Sequence, residues 1–162
     1  MRIVLLLMLT IVAGCSGEGA PAQRIEFKKE ESTMSNKEAA IAFLEANRSE
    51  DGITETASGL QYKVISSGSG DSPALTDTVS AHYAGRLLDG TEFDSSYARG
   101  EPLTIPVGAV IKGWTEALTM MKVGDKWTLY IPPELGYGER GAGGTIPPNS
   151  ALIFDVELIE IK

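Results

Sequence analysis

The hydrophobic and polar positions of this chain follow two periods. Over the last hundred residues most apolar side chains alternate with polar ones. Gly59-Leu60-Gln61-Tyr62-Lys63-Val64-Ile65, Val79-Ser80-Ala81-His82-Tyr83-Ala84, Leu103 to Val107, Trp127-Thr128-Leu129-Tyr130-Ile131 and Ala151 to Ile161 read as strands. In the last of these, Leu152, Phe154, Val156 and Leu158 face one way. Asp89-Gly90 signals a tight turn, and Phe93-Asp94-Ser95-Ser96 leaves that hairpin. Tyr97 to Glu101 reads as a loop, and Pro106 implies an edge or irregular position. One stretch breaks the alternation. Trp114, Ala117, Leu118 and Met121 recur at i, i+3, i+4 and i+7, one apolar helical face, and Lys122-Val123-Gly124 closes it with Gly124 as the stop. Five or six strands and a single short helix predict an α+β fold. Its antiparallel half-barrel sheet wraps around the helix, which covers one face.

A second, weaker helical pattern precedes the strands. Ser35-Asn36-Lys37-Glu38 is an S-x-x-E capping box, and Ala39, Ala40, Ile41, Phe43, Leu44 and Ala46 follow, with Gly52 as the stop. So short a helix is marginal alone in water. Phe43 and Leu44 therefore need a surface, and docking on the parent domain is favoured over a contact with a second copy. Residues 15–34 are polar and mixed in charge, the pattern of a flexible tether. Residues 1–14 read as a signal peptide: Arg2, then the apolar run Ile3 to Val12, then small residues. That run is shorter than the roughly 20 residues that span a bilayer. Val12-Ala13-Gly14-Cys15 resembles the lipobox of bacterial lipoproteins, which implies acylation of Cys15.

Composition narrows the function. With 14 Lys and Arg against 22 Asp and Glu, the net charge is −8 and no basic run exists, so nucleic-acid binding is disfavoured. Eighteen glycines and eight prolines suit turn-rich β structure. Cys15 is the sole cysteine and His82 the sole histidine, which leaves no intrachain disulfide and no thiol or paired-histidine metal site. A Ser-His-Asp arrangement would have to use His82, whose strand neighbours favour a structural role. Gly136-Tyr137-Gly138-Glu139-Arg140-Gly141 fits G-x-G-x-x-G by letter. A dinucleotide site needs a helix directly afterwards, and Gly143-Gly144 and Pro147-Pro148 forbid one. What remains is an apolar set at element ends and in loops: Tyr83, Phe93, Val110, Ile111, Trp114, Tyr137, Ile146 and Phe154, with Asp94 and Arg99 beside them. Such edges are where a concave apolar pocket is built. On the residues alone, Trp114 is either pocket floor or, as a lone Trp more often is, core.

A series of motifs then falls in order: His82-Tyr83, Leu88-Asp89-Gly90, Phe93-Asp94-Ser95-Ser96, Val110-Ile111-Lys112-Gly113-Trp114, Val123-Gly124-Asp125, Pro132-Pro133-Glu134-Leu135-Gly136-Tyr137-Gly138, Ile146-Pro147-Pro148-Asn149-Ser150 and Leu152-Ile153-Phe154-Asp155-Val156-Glu157-Leu158. Together they resemble an FKBP-type peptidyl-prolyl cis-trans isomerase over residues 59–162. Residues 35–58 resemble the helical extension of the bacterial macrophage-infectivity-potentiator-like members. The resemblance implies isomerisation of X-Pro bonds in exported proteins, without cofactor or metal. It implies a pocket of Tyr83, Phe93, Arg99, Leu103, Val110, Trp114, Ile146 and Phe154, with Trp114 as the floor under the prolyl ring. Asp94, the Tyr137 hydroxyl and the backbone N–H of Ile111 would act on the substrate amide and its carbonyls. For Asp94 the alternative is a carboxylate that orders its loop through Arg99. Leu103 stands where many members have Phe, and Ala142 where some eukaryotic members have His. The partners implied are unfolded or prolyl-containing polypeptides, macrolide FKBP ligands and a membrane through acylated Cys15, with a dimer through residues 35–50 in those members that form one. The location implied is the bacterial cell envelope, the outer membrane facing the periplasm in a Gram-negative source. The rival reading is a folding chaperone or proline-segment-binding module with little turnover.

Overall fold

The computed structural model describes residues 35–162. The signal peptide, the tether and Cys15 fall outside them. The chain begins with α1 (Asn36–Asn47), and Ser35 and Glu38 close the capping box: each side chain bonds the other's backbone N–H. Seven strands follow: β1 (Ile53–Glu55), β2 (Gln61–Ser66), β3 (Thr78–Arg86), β4 (Glu92–Ser95), β5 (Leu103–Pro106), β6 (Lys126–Ile131) and β7 (Leu152–Ile161). Two helices interrupt them, α2 (Ser96–Arg99) and α3 (Lys112–Met120). The sheet is antiparallel in the order β1-β2-β6-β7-β3-β4, and β5 also pairs with β3.

One face of this sheet is apolar because the strands alternate. Leu129 and Ile131 of β6, Phe154, Val156 and Leu158 of β7, and Val79, Ala81 and Tyr83 of β3 are buried in one cluster. Trp114, Ala117 and Leu118 of α3, with Met121 just beyond it, complete that cluster. The helix approaches closely because Gly113 has no side chain. A Cβ there would lie 2.8 Å from Ile131 Cγ2. The other face is polar along most of its length, with Lys63, Thr128, Asp155, Arg86 and His82. There Asp155 accepts from Thr128 Oγ1 at 2.7 Å and pairs with Arg86 at 2.5 Å.

Residues 59–162 form six strands, as expected, and a seventh precedes them, so the extension is not purely helical. Ile53–Glu55 forms an edge strand antiparallel to β2. Three residues are too few to show a period of two, so nothing in the pattern reveals it. Tyr97 and its neighbours form one helical turn, α2, rather than a plain loop. Ser95 caps it, and Gly100 takes the left-handed conformation after it. Helix α3 ends at Met120, so Gly124 is not its cap. Gly124, at φ +94°, turns the chain into β6, and Asp125 N–H bonds Lys122 O at 2.8 Å.

Helix α1 lies on its own domain, as Phe43 and Leu44 demand. The Phe43 and Tyr130 rings meet at 6.0 Å between centroids, and Ala40 is fully buried. Buried Asn47 donates to Gln61 Oε1 at 2.8 Å, and Gln61 Nε2 donates to Leu44 O and to Glu55. These bonds tie α1, β1 and β2 into one unit.

Candidate functional site

The site is built where the pairing of β3 changes partner. Along one edge, Thr78 to Ala81 pair with β5, while Ala84 to Arg86 pair with β4. His82 and Tyr83 lie between the two partners, and here the apolar face opens to solvent. A cavity of about 650 Å³ lies above Trp114. Tyr83, Phe93, Asp94, Leu103, Val110, Ile111, Trp114, Tyr137, Ile146 and Phe154 all line it. Of the pocket residues expected from the resemblance, only Arg99 is not in the lining.

Trp114 is 4% exposed, yet it is not sealed away. It lines the open cavity. Two aromatic contacts hold it there, and a third braces Phe154. The Tyr83 ring stands edge-on to the indole at 5.2 Å, Phe154 does so at 5.3 Å, and Phe93 stands edge-on to Phe154 at 5.4 Å. Edge-to-face pairs of this kind hold rings more rigidly than area burial alone. The indole N–H is buried without a hydrogen-bond partner.

Arg99 acts from behind the wall. Its guanidinium donates to Asp94 Oδ1 and, at 2.8 Å, to the Tyr83 hydroxyl. The Tyr83 hydroxyl in turn donates to Asp94 Oδ2. Three side chains therefore close a ring of hydrogen bonds, in which both oxygens of Asp94 are engaged. Desolvation alone would raise the Asp94 carboxyl, but the bonds from Tyr83 and Arg99 outweigh it and hold it below the usual carboxylate range. Burial, reinforced by the bond to Asp94, pushes the Tyr83 phenol up. At neutral pH the pair is carboxylate and neutral phenol.

The rim supplies polar groups. The Ile111 N–H, just before α3, donates to no acceptor among the described residues. Tyr137, 39% exposed, stands in the loop between β6 and β7. Sequence reasoning did not single out Ile105, Ala109, Gly143 and Thr145, which also line the cavity. Ile105 carried a signal, since it shares Leu103's face of β5 by the two-residue period. The others lie in turns, where no period exists. Ala142 lies in the lining as well, bridged to Ile146 by paired backbone bonds of 2.9 Å.

Comparison with known proteins gives two family matches. The family described as FKBP-type peptidyl-prolyl cis-trans isomerase matches residues 70–159. The chain belongs to this family. The domain found amino-terminal to such isomerases matches residues 15–64. The FKBP-type 22 kDa peptidyl-prolyl cis-trans isomerase of Escherichia coli K12 is 60% identical over 121 residues, which are 75% of this chain and 59% of that protein. The outer membrane protein MIP of Legionella longbeachae is 48% identical over 85% of this chain and 58% of its own length. This FKBP-family chain thus spans just under three fifths of these two relatives. Among solved structures, an isomerase from Pseudomonas syringae is 36% identical with a TM-score of 0.74, over 78% of this chain and 93% of that one.

Proposed function

We propose that this FKBP-family domain isomerises X-Pro peptide bonds and that its cavity is the place where it does so. One observation carries the reading: an aromatic cup, open to solvent, whose floor is an indole held edge-on by two rings. An X-Pro bond prefers trans by only about 0.5–1 kcal/mol, yet interconverts in tens of seconds or longer. The barrier, about 18–20 kcal/mol for a peptide bond, is amide resonance lost as the C–N bond twists. No covalent bond breaks, so neither nucleophile nor cofactor is required. Each tenfold acceleration needs about 1.4 kcal/mol of preferential binding to the twisted state.

The residues divide this work by position. Trp114, Phe93, Phe154 and Tyr83 hold the prolyl ring. Removing the planar, charge-separated amide from water disfavours it relative to the twisted form. The free Ile111 N–H and the Tyr137 hydroxyl hold substrate carbonyls. Asp94 has both oxygens engaged by neighbours, so it acts by holding the Tyr83 wall. Leu103, Val110 and Ile146 complete the apolar rim.

The same reading extends to location. A relative bears the name outer membrane protein, and Val12-Ala13-Gly14-Cys15 resembles a lipobox, which supports a place in the bacterial envelope with Cys15 acylated. The decisive experiment is a prolyl tetrapeptide assay with the purified protein. Catalysed isomerisation that Trp114→Leu removes from a folded protein supports the reading. A wild-type rate equal to the uncatalysed one refutes it.

A further inference from the structure

The edge of β3 between β5 and β4 poses a problem that the fold must solve. Tyr83 presents both its backbone N–H and its C=O to that edge, where no strand pairs with it. Leaving such a buried backbone group unpaired is costly. A single side chain meets both. Ser96 is fully buried at the start of α2. Its Oγ accepts from Tyr83 N–H at 2.7 Å and donates to Tyr83 O at 3.1 Å. The hydroxyl thus replaces the missing strand at a residue whose ring lines the cup.

The third contact of Ser96 follows from proton counting. His82 Nδ1 lies 2.9 Å from Oγ. A hydroxyl has one proton to give and two lone pairs. With that proton on Tyr83 O, His82 Nδ1 must itself carry a proton and donate. An imidazole protonated at Nδ1 satisfies this. Tyr97 of α2 stacks on it at 4.6 Å, and Glu157 of β7, its register partner, accepts from the Tyr97 hydroxyl and lies 4.0 Å from Lys126 of β6.

We propose that Ser96 is a positioning residue for the Tyr83–Asp94 wall, and that the same hydroxyl fixes His82 in a form protonated at Nδ1. The claim rests on the isomerase reading only for its kinetic test. Ser96 touches no substrate. It sets the backbone of Tyr83, whose hydroxyl meets Asp94 and Arg99.

The test is a double-mutant cycle in the full chain, with Ser96→Ala and Tyr83→Phe singly and together, read as kcat/KM on a prolyl tetrapeptide. Ser96→Ala is expected to lower kcat/KM about tenfold with Tyr83 present and to change it little in the Tyr83→Phe background. Equal losses in both backgrounds would mean a general structural effect and overturn the proposal. Should Ser96→Ala not fold, Ser96→Cys, with a weakly bonding thiol, goes through the same cycle with the same two outcomes. Nitrogen NMR of the unmodified protein is expected to find His82 Nδ1 protonated at pH 7.5, and a neutral Nε2–H ring overturns the hydrogen-bond assignment. If the wild type shows no isomerase activity, the functional reading fails. Positioning is then judged by the Tyr83 ring resonances in the Ser96 variant, which are expected to move; unmoved resonances overturn it.

Discussion

Gly85 offers the sharpest probe of the aromatic wall. It sits on β3 with an ordinary negative-side backbone conformation, since its φ is not among the positive ones, so space rather than flexibility explains the glycine. A Cβ added there would lie 2.5 Å from Phe154 Cε1, 2.8 Å from Phe93 Cε2 and 2.8 Å from Phe93 Cζ. Backbone cannot yield, because Gly85 pairs with β7 on one side and β4 on the other. The two rings must turn instead. Phe154 is itself edge-on to Trp114, so the displacement reaches the floor of the cup.

Overpacking of this kind costs about 1–3 kcal/mol. Taking ~2 kcal/mol and a urea slope of ~2 kcal/mol/M, Gly85→Ala is expected to lower the unfolding midpoint by about 1 M. It should also lower kcat/KM on a prolyl tetrapeptide about tenfold, because the prolyl ring meets a misplaced wall. Phe93→Leu in the same protein removes two of the three close contacts, those at 2.8 Å, and should return part of the stability without the activity. A Gly85→Ala protein with the wild-type midpoint and wild-type turnover would refute the packing described here.

Three further predictions follow from other parts of the site. Asp94→Val opens the Tyr83–Asp94–Arg99 ring and should lower kcat/KM while circular dichroism shows a folded domain; unchanged turnover would give Asp94 a role in loop order alone. Asn47→Ala leaves the buried Gln61 carbonyl oxygen unpaired and should cost about 1–3 kcal/mol in urea unfolding, whereas no loss would mean that α1 is not integral to the domain. Activity should be flat from about pH 6 to 8. The depressed Asp94 pKa keeps its stabilising bonds above the usual carboxylate range, and they are lost only as pH falls through the lowered value. The raised Tyr83 pKa, set first by burial, keeps the phenol neutral beyond the usual tyrosine range. A bell-shaped profile between 6 and 8 would contradict this.

The sequence disclosed strands with a long period-two run and the helix with an i, i+3, i+4, i+7 face, because burial of one face enforces those spacings. It concealed β1, whose three residues have no period, and α2, whose single turn is set by the Ser95 cap and Gly100 rather than by hydrophobicity. Periodicity could not decide whether Trp114 was core or floor. A residue 4% exposed in the lining of a cup is nearly as buried as one in the core, and only the arrangement above it separates the two. The motif resemblance supplied the floor assignment. The same resemblance put Arg99 among the pocket residues, whereas its guanidinium lies behind the wall, bonded to Tyr83 and Asp94.

An isomerase of the kind proposed for this domain breaks no bond and needs shape held rigidly. If β4 ran on along β3 to meet β5, the ladder would be continuous at His82 and Tyr83. The chain instead turns out through α2, which leaves the Tyr83 backbone without a strand on that edge. Ser96 settles the gap: its hydroxyl supplies both missing bonds, while Asp94 and Arg99, two residues before and three after it, clamp the Tyr83 hydroxyl. Fold stability and wall geometry therefore meet at the same few residues. Substitutions there should move the unfolding midpoint and the turnover together, whereas substitutions at the exposed Tyr137 should move turnover alone.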